Sequence, residues 1–336
     1  MAVRLEDIAR RAGVSKATVS LALNGSTLVK DETKAAIIRI ANELNYIPNQ
    51  SARNLVRKKT GTIGVIVPDI ESEYYGSLVS QINNAVCAIG YSMLLAISAN
   101  DSYQEEIAIR TFISNNVEGV IAIPINKKSS SLEAFGLLKS NRIPCVFSSS
   151  YYPDIKCRCV MVDLGLGSYY MTRYLLSSGR TNIRFFCGSR EIVPTFTRIE
   201  GIKRAFSEKN LPFRDENIIV FNEINYNSVY NYVGSNLKSV CSADALMCVN
   251  DMMALGAINA LSGSGIDVPG KISVVGYDNV AYSTVSAIPI TTINQNLELV
   301  ARETVSLLKR EIDGETISKD QNCIYIPPEL IVRASS

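Results

Sequence analysis

From Thr62 onward the sequence alternates short apolar, β-rich runs with helical stretches, and this alternation leaves few folds open. The runs are Thr62–Pro68, Ser92–Ser98, Gly119–Ile125 and Pro144–Phe147, followed by a second series of Val160–Asp163, Asn182–Cys187, Ile218–Phe221, Ala243–Cys248 and Ile272–Tyr277. Helical stretches such as Leu78–Ile89 and Glu105–Asn115 lie between them. Continuous apolar strands separated by helices imply parallel sheets covered on both faces. Nine such strands are too many for one ordinary core, so residues 61–336 are expected to form two doubly wound parallel-sheet lobes. The lobes should divide near residue 160, with the chain crossing back near 290 and 320.

Residues 1–60 follow a different pattern, which predicts a small all-α head over 1–46 and a linker over 47–60. Leu5, Ile8, Ala9 and Ala12 share one face of a first helix. Gly13 suits a left-handed helix stop, and Ser15 suits the N-cap of a second helix reaching Asn24. Val19, Ala22 and Leu23 form its apolar face. A third helix follows Asp31 and Glu32, with Ile37, Ile40, Ala41 and Leu44 inward. Arg4 and Lys30 stand at the first and third N-caps, so capping there is weaker or comes from elsewhere. Pro48 ends the head, and Asn49 can cap a short linker helix ending near Val56. Alone, so short a helix is marginal in water and needs a partner to form.

Charge separates the two parts as well. The chain carries 34 Lys and Arg against 32 Asp and Glu, but the first 60 residues have a formal charge of +6 and the remainder −4. A basic head on a mildly acidic body suits an anionic polymer at one end only. A helix, a tight glycine turn and a second capped helix form the helix-turn-helix arrangement that reads the DNA major groove. The outward face of the second helix is Ser15, Lys16, Ala17, Ser20, Leu21 and Asn24. The pattern alone also fits a small helical bundle acting as a lid or dimer piece.

There is no histidine in the chain. Imidazole bases, Ser-His and Cys-His nucleophiles and histidine-ligated zinc are excluded. Eight scattered cysteines with no C-x-x-C spacing read as reduced, buried thiols rather than disulfides or a metal cluster. No apolar run reaches the length of a membrane span. The N-terminus lacks a signal-peptide core, so a cytoplasmic location is expected. Neither a cofactor nor a metal is expected. Gly165-Leu166-Gly167-Ser168-Tyr169-Tyr170 narrowly misses G-x-G-x-x-G and reads as a helix N-terminus.

The segment Leu5-Glu6-Asp7-Ile8-Ala9-Arg10-Arg11-Ala12-Gly13-Val14-Ser15-Lys16-Ala17-Thr18-Val19-Ser20-Leu21-Ala22-Leu23-Asn24 resembles the head of the lactose/galactose repressor (LacI/GalR) family. Glu43-Leu44-Asn45-Tyr46-Ile47-Pro48-Asn49 does too, and the order of segments is similar across essentially the whole chain. The resemblance implies a dimeric transcription factor on a near-palindromic operator. It places Lys16, Ala17 and Leu21 where relatives read bases, although many relatives have Arg at the Leu21 position. A leucine there can touch a thymine methyl but cannot hydrogen-bond a base. Asn49 and Ala52 match linker-helix positions. Leu55, which by itself reads as a dimer contact, matches the leucine that wedges into the minor groove and kinks the DNA.

For the body, the resemblance implies a fold like a periplasmic sugar-binding protein, with a small-molecule effector between the lobes. Ligands in such folds sit at the strand C-terminal ends. There, Tyr74 and Tyr75 can stack on a sugar or base face, and Asp278 can accept from sugar hydroxyls. Arg198, Asn250 and Gln295 match the family's effector positions, with Arg198 offering a forked hydrogen bond. Asp251 reads as a helix cap. Ser148-Ser149-Ser150 and Pro194 depart from the common pattern, so the polar contacts are partly rewritten. A sugar or sugar phosphate is the favoured effector, with a nucleobase or a phosphoprotein co-regulator as alternatives. The rivals are a cytoplasmic sugar- or nucleotide-acting enzyme with a fused helical domain, and a transport binding protein. Neither has a use for the basic head. The lack of a leucine heptad tail after Pro327-Pro328 predicts a dimer rather than a tetramer.

The linker reading carries a direct test. Leu55→Ala is expected to weaken operator binding while leaving effector binding unchanged. Equal operator affinity in a gel-shift titration would remove the wedge.

Overall fold

The computed structural model describes residues 3–46, 60–125, 132–318 and 321–336, and its backbone divides into two units, Met1–Thr60 and Gly61–Ser336. In the first unit, α1 (Leu5–Ala12), α2 (Lys16–Leu23) and α3 (Asp31–Glu43) bury Ile8, Val19, Ala22, Ile37 and Ala41 against one another. Gly13 ends α1 at φ 68°, a backbone geometry that glycine adopts without steric cost. Ser15 caps α2, its Oγ accepting from the Thr18 N–H at 3.1 Å. Arg4 provides no side-chain cap. Instead Asp7, inside the first turn, accepts from the Arg4 N–H at 2.9 Å. The linker residues Asn49, Ala52 and Leu55 lie outside the described residues.

The second unit runs β1 (Thr62–Val67), α4 (Glu73–Ala88), β2 (Ser92–Ile97), α5 (Ser102–Ser114), β3 (Gly119–Ala122), α6 (Leu132–Ser140), β4 (Cys145–Ser148) and β5 (Arg158–Val162). It continues through α7 (Leu164–Ser177), β6 (Ile183–Cys187), α8 (Val193–Glu208), β7 (Ile218–Val220), α9 (Tyr226–Ser235), β8 (Ala245–Cys248), α10 (Asp251–Gly263) and β9 (Ser273–Val275). Last come β10 (Thr292–Asn294), α11 (Leu297–Ile312), β11 (Cys323–Ile326) and β12 (Glu329–Ile331). One parallel sheet has the order β11-β5-β4-β3-β1-β2 and the other β7-β6-β8-β9. The expected fold class, an all-α head with two doubly wound parallel-sheet lobes, is therefore present. Strands β3, β4 and β8 are buried at every position.

Three features differ from the sequence pattern. Val160–Asp163 was expected to open the second lobe, but β5 pairs between β4 and β11 in the first sheet. The lobe division therefore follows Val162. The short strands β10 and β12 carry too few apolar residues to register as runs, and β11, although apolar, is only four residues long. β11 returns to the first sheet, while β10 and β12 pair antiparallel beside the second. Consequently the chain passes between lobes at Asp163, again before α11, and a third time at Pro327-Pro328. α11 lies on the first sheet, with Thr304 Oγ1 3.3 Å from Ser148 Oγ.

The third difference concerns the cysteines. Cys159 and Cys323 form a disulfide, with Cα atoms 4.6 Å apart, where reduced thiols were expected. They are register partners on β5 and β11, 164 positions apart in sequence. No spacing rule could reveal a pairing set by sheet register.

The Gly165/Gly167 pair serves close packing. A Cβ on Gly201 of α8 would overlap the Gly165 carbonyl of α7, and a Cβ on Gly167 would overlap the Tyr277 hydroxyl. Gly201→Ala must therefore push two helix backbones apart. An overpacking cost of about 1–3 kcal/mol is expected, read as a lowered urea midpoint at constant slope. An unchanged midpoint would contradict the close approach.

Candidate functional site

In the head, burial of Val19 and Ala22 turns the opposite face of α2 outward. Ser15, Lys16, Ala17, Leu21 and Asn24 are exposed there and Ser20 is half-buried. Leu21 keeps 40% of its surface exposed, which an apolar side chain tolerates but does not favour. The Lys16 ammonium is paired with Glu6 Oε1 on α1. The same hydrogen bond holds the exposed Glu6 carboxyl below its usual range. Lys16 must release Glu6 before it can reach a phosphate or base edge. Leu28, 84% exposed just beyond α2, went unnoticed in the sequence because it belongs to no periodic face.

In the body, the sheets leave a cleft of about 790 Å³. Tyr74, Tyr75, Arg198, Asn250, Asp278 and Gln295 all line it. Tyr74 and Tyr75 sit in the first turn of α4, which begins at Glu73, five residues before the apolar pattern suggests. Its first turn is polar and so hid the start. The Asp69 carboxylate fixes the approach to this helix by accepting from the Ser72 N–H at 2.7 Å. The Tyr74 hydroxyl donates to Ser149 Oγ at 3.0 Å and lies 3.3 Å from Gln295 Oε1, so it spans the two lobes. Burial and the nearby Asp278 raise its pKa.

Gln295, 3% exposed, donates from Nε2 to Asp278 Oδ1 at 2.5 Å. Asp278 follows β9 at φ 105°, with Asn279 at φ 56° beside it. This is strained backbone for residues with side chains. Burial pushes the Asp278 carboxyl up to about 6, against the opposing pull of Arg198 and Gln295. Arg198 is 6% exposed on α8, and its guanidinium stacks 4.3 Å from the centroid of the Tyr277 ring. Among the described residues its Nε has no hydrogen-bond partner. A buried donor left unpaired costs free energy.

The helix cap expected at Asp251 is instead Asn250, which also lines the cleft. Asn250 is the N-cap of α10, its Oδ1 accepting from the Met253 N–H at 2.8 Å. That leaves only its amide nitrogen for the cleft. Asp251 is not a cap: its fully buried carboxyl accepts from the Thr292 hydroxyl at 2.6 Å and the Val280 N–H at 3.0 Å. It thereby fastens the segment carrying Asp278 to β10. Desolvation raises its pKa well above the usual carboxylate value. The sequence reading missed Asn100, Ser189, Thr195 and Asn222 on the cleft wall. Asn100, Ser189 and Asn222 lie on loops and Thr195 in the first turn of α8, and only the fold reveals their convergence.

Residues 4–49 match a family model described as bacterial regulatory proteins, lacI family, and residues 172–336 match one described as a periplasmic binding protein-like domain. The chain is 30% identical over its whole length to the HTH-type transcriptional regulator DegA of Bacillus subtilis (strain 168), covering 98% of that protein. It is also 30% identical to catabolite control protein A of Priestia megaterium, with complete coverage of both. The chain belongs to the LacI family. It is thus a DNA-binding transcriptional regulator. Among solved structures it shares the fold of the Lac repressor dimer bound to operator and the anti-inducer ONPF, with a TM-score of 0.88 at 23% identity over 100% of this chain and 99% of that one. The CelR-cellobiose complex is similar too, with a TM-score of 0.74 at 25% identity over 99% and 100%. Among the described residues no helix is long and apolar enough to cross a membrane, and no group of three or more acidic or thiol side chains is placed to hold a metal ion.

The raised carboxyl of Asp278 makes the stability of this LacI-family body pH-dependent. Its folded pKa of about 6 lies above the unfolded value of roughly 3.9. The carboxyl therefore contributes stability that is fully present below about pH 4 and lost as pH rises through about 6. Asp278→Asn should flatten the urea-midpoint profile across that window, by at most about 3 kcal/mol. An unaltered profile would contradict the desolvation.

Proposed function

We propose that this LacI-family regulator is a repressor that binds a near-palindromic operator as a dimer and senses a small polyhydroxylated molecule, a sugar in preference to other classes, in the interlobe cleft. The observation that carries the reading is the Arg198 guanidinium. It is buried, stacked on Tyr277 and unpartnered at Nε, and it faces a cleft that also holds Asp278, Gln295 and Tyr74. One strong donor group, one strong acceptor and several neutral hydroxyl and amide groups around apolar walls suit a ligand rich in hydroxyls. Tyr74 and Tyr75, with ring centroids 5.3 Å apart and edge-on, offer an apolar face to a sugar ring. The cellobiose of the CelR complex shows that class of ligand in a protein of similar fold.

The coupling runs through contacts that span the lobes. Tyr74 of the first lobe reaches Gln295, and Glu73 Oε1 accepts from the Ala281 N–H at 2.8 Å. A ligand that competes for these groups changes how the lobes close on each other. In a dimer, that shift alters the spacing of the two heads and of the linker segments carrying Leu55. Changing operator affinity tenfold requires about 1.4 kcal/mol of coupling. One well-formed charged hydrogen bond is worth that much.

A thermal-shift screen of the full chain against sugars, sugar phosphates and nucleobases identifies the class, because ligand at 100 times its dissociation constant adds about 2.7 kcal/mol. Arg198→Ala should then lower affinity for the hit about 10- to 100-fold, the loss of a hydrogen bond to a charged group, and abolish the response of operator binding. Basal operator affinity should be unchanged. A full response in the variant would take Arg198 out of the site.

A further inference from the structure

Four of the eight cysteines share one face of the first sheet, at the N-terminal ends of its strands and so at the far end from the cleft. Cys159 and Cys323 are register partners on β5 and β11 and are joined as a disulfide. Cys145 opens β4, and the Val146–Arg158 pairing places Cys157 directly opposite it, one residue back on each strand. Residues i and i+2 of a strand face the same way, so Cys157 and Cys159, and hence all four, line a single face. Cys145 and Cys157 are free thiols on neighbouring strands. Cys145 is buried and Cys157 half-buried. Their closeness, together with burial, raises the thiol pKa of Cys145, and the same closeness lowers that of Cys157. A half-buried thiol beside a fully buried partner is the arrangement of an attacking and a resolving cysteine.

The position of the disulfide gives the pair a reach beyond its own strands. β5 leaves the first lobe at Asp163 and β11 leaves it at Pro327-Pro328, so the two strands run side by side into the hinge. There the Asp163 N–H donates to the Ile326 carbonyl at 3.0 Å. β11 is an edge strand held to the sheet by β5 alone. The Cys159–Cys323 bond is therefore a covalent tie between two of the three interlobe passages.

We propose that this cysteine face is a reversible thiol–disulfide modification site: Cys157 takes up a low-molecular-weight disulfide, Cys145 resolves it, and the two cross-strand disulfides stiffen the strands leading to the hinge. The Cys157 thiolate attacks one sulfur of the small disulfide, whose S–S bond breaks and releases one thiol. The Cys145 thiolate then attacks Cys157 Sγ, forming the internal disulfide and releasing the second thiol. Two cysteine thiols are oxidised and one small disulfide is reduced to two thiols. The Cys159–Cys323 pair is formed and reduced by the same exchange.

The test incubates the reduced full-length protein with oxidised glutathione, quenches with acid, alkylates free thiols and maps the peptides by mass spectrometry without reduction. Cys145–Cys157 and Cys159–Cys323 cross-links are expected, while exposed Cys87 carries only glutathione and the buried Cys187 and Cys248 remain unmodified. Cys145→Ser should trap glutathione on Cys157. Cys157→Ser, at the less buried position, should leave Cys145 unmodified. Absence of the Cys145–Cys157 link in the wild type, or glutathione persisting on its Cys157, overturns the proposal. The oxidised protein should melt several degrees above the reduced one, and Cys323→Ser should remove most of that difference. Equal midpoints would overturn the stiffening of the hinge strands.

Discussion

The Arg198 guanidinium lies buried against a tyrosine ring rather than against a carboxylate, and the site is organised around that choice. Tyr277 is fully buried, and its hydroxyl donates to the Leu164 carbonyl at 3.2 Å. That bond seats the ring over Gly167, where any side chain would displace it. A cation over an aromatic face is held without being neutralised. The arginine therefore keeps donor capacity for another molecule. The neighbouring charge of Asp278 is occupied by Gln295 and partly protonated near pH 6. A direct salt bridge would have satisfied both groups and closed the site.

Holding Asp278 in its strained backbone falls to a residue that faces away from the cleft. Asp251 ties the turn at Val280 to Thr292 on β10, the strand through which the chain leaves the second lobe. Gly276 lies against the Asp251 carboxylate at a distance that excludes a Cβ. Cleft, supporting carboxylate and interlobe passage thus form one hydrogen-bonded unit.

Much of this was legible in the sequence because it rests on local chemistry. Long apolar runs marked the buried strands, and Gly13 and Ser15 marked the turn of the head. Asp278, which directly follows an apolar run, is placed at the cleft by strand polarity, whereas Asn250 needs the family resemblance as well. What stayed hidden depends on long-range register or on polar context. The Cys159–Cys323 pairing, the membership of β5 in the first sheet and the return of β11 are set by neighbours distant in sequence. Asp251 looked like a helix cap because a carboxylate before a helix usually is one, yet Asn250 one position earlier takes that role. Tyr74 and Tyr75 were located correctly although the start of their helix was not, since the first turn carries no apolar face.

The central claim is that one small molecule in the cleft and one DNA site on the head share a coupling free energy. Thermodynamic reciprocity tests it most directly. The affinity of the full chain for an operator selected from random DNA would be measured with and without the ligand. The affinity for the ligand would then be measured with and without that DNA. The account predicts that the two ratios are equal and differ from one by at least about tenfold, the 1.4 kcal/mol of a modest coupling. A ligand that binds the cleft while both ratios stay at one would contradict it.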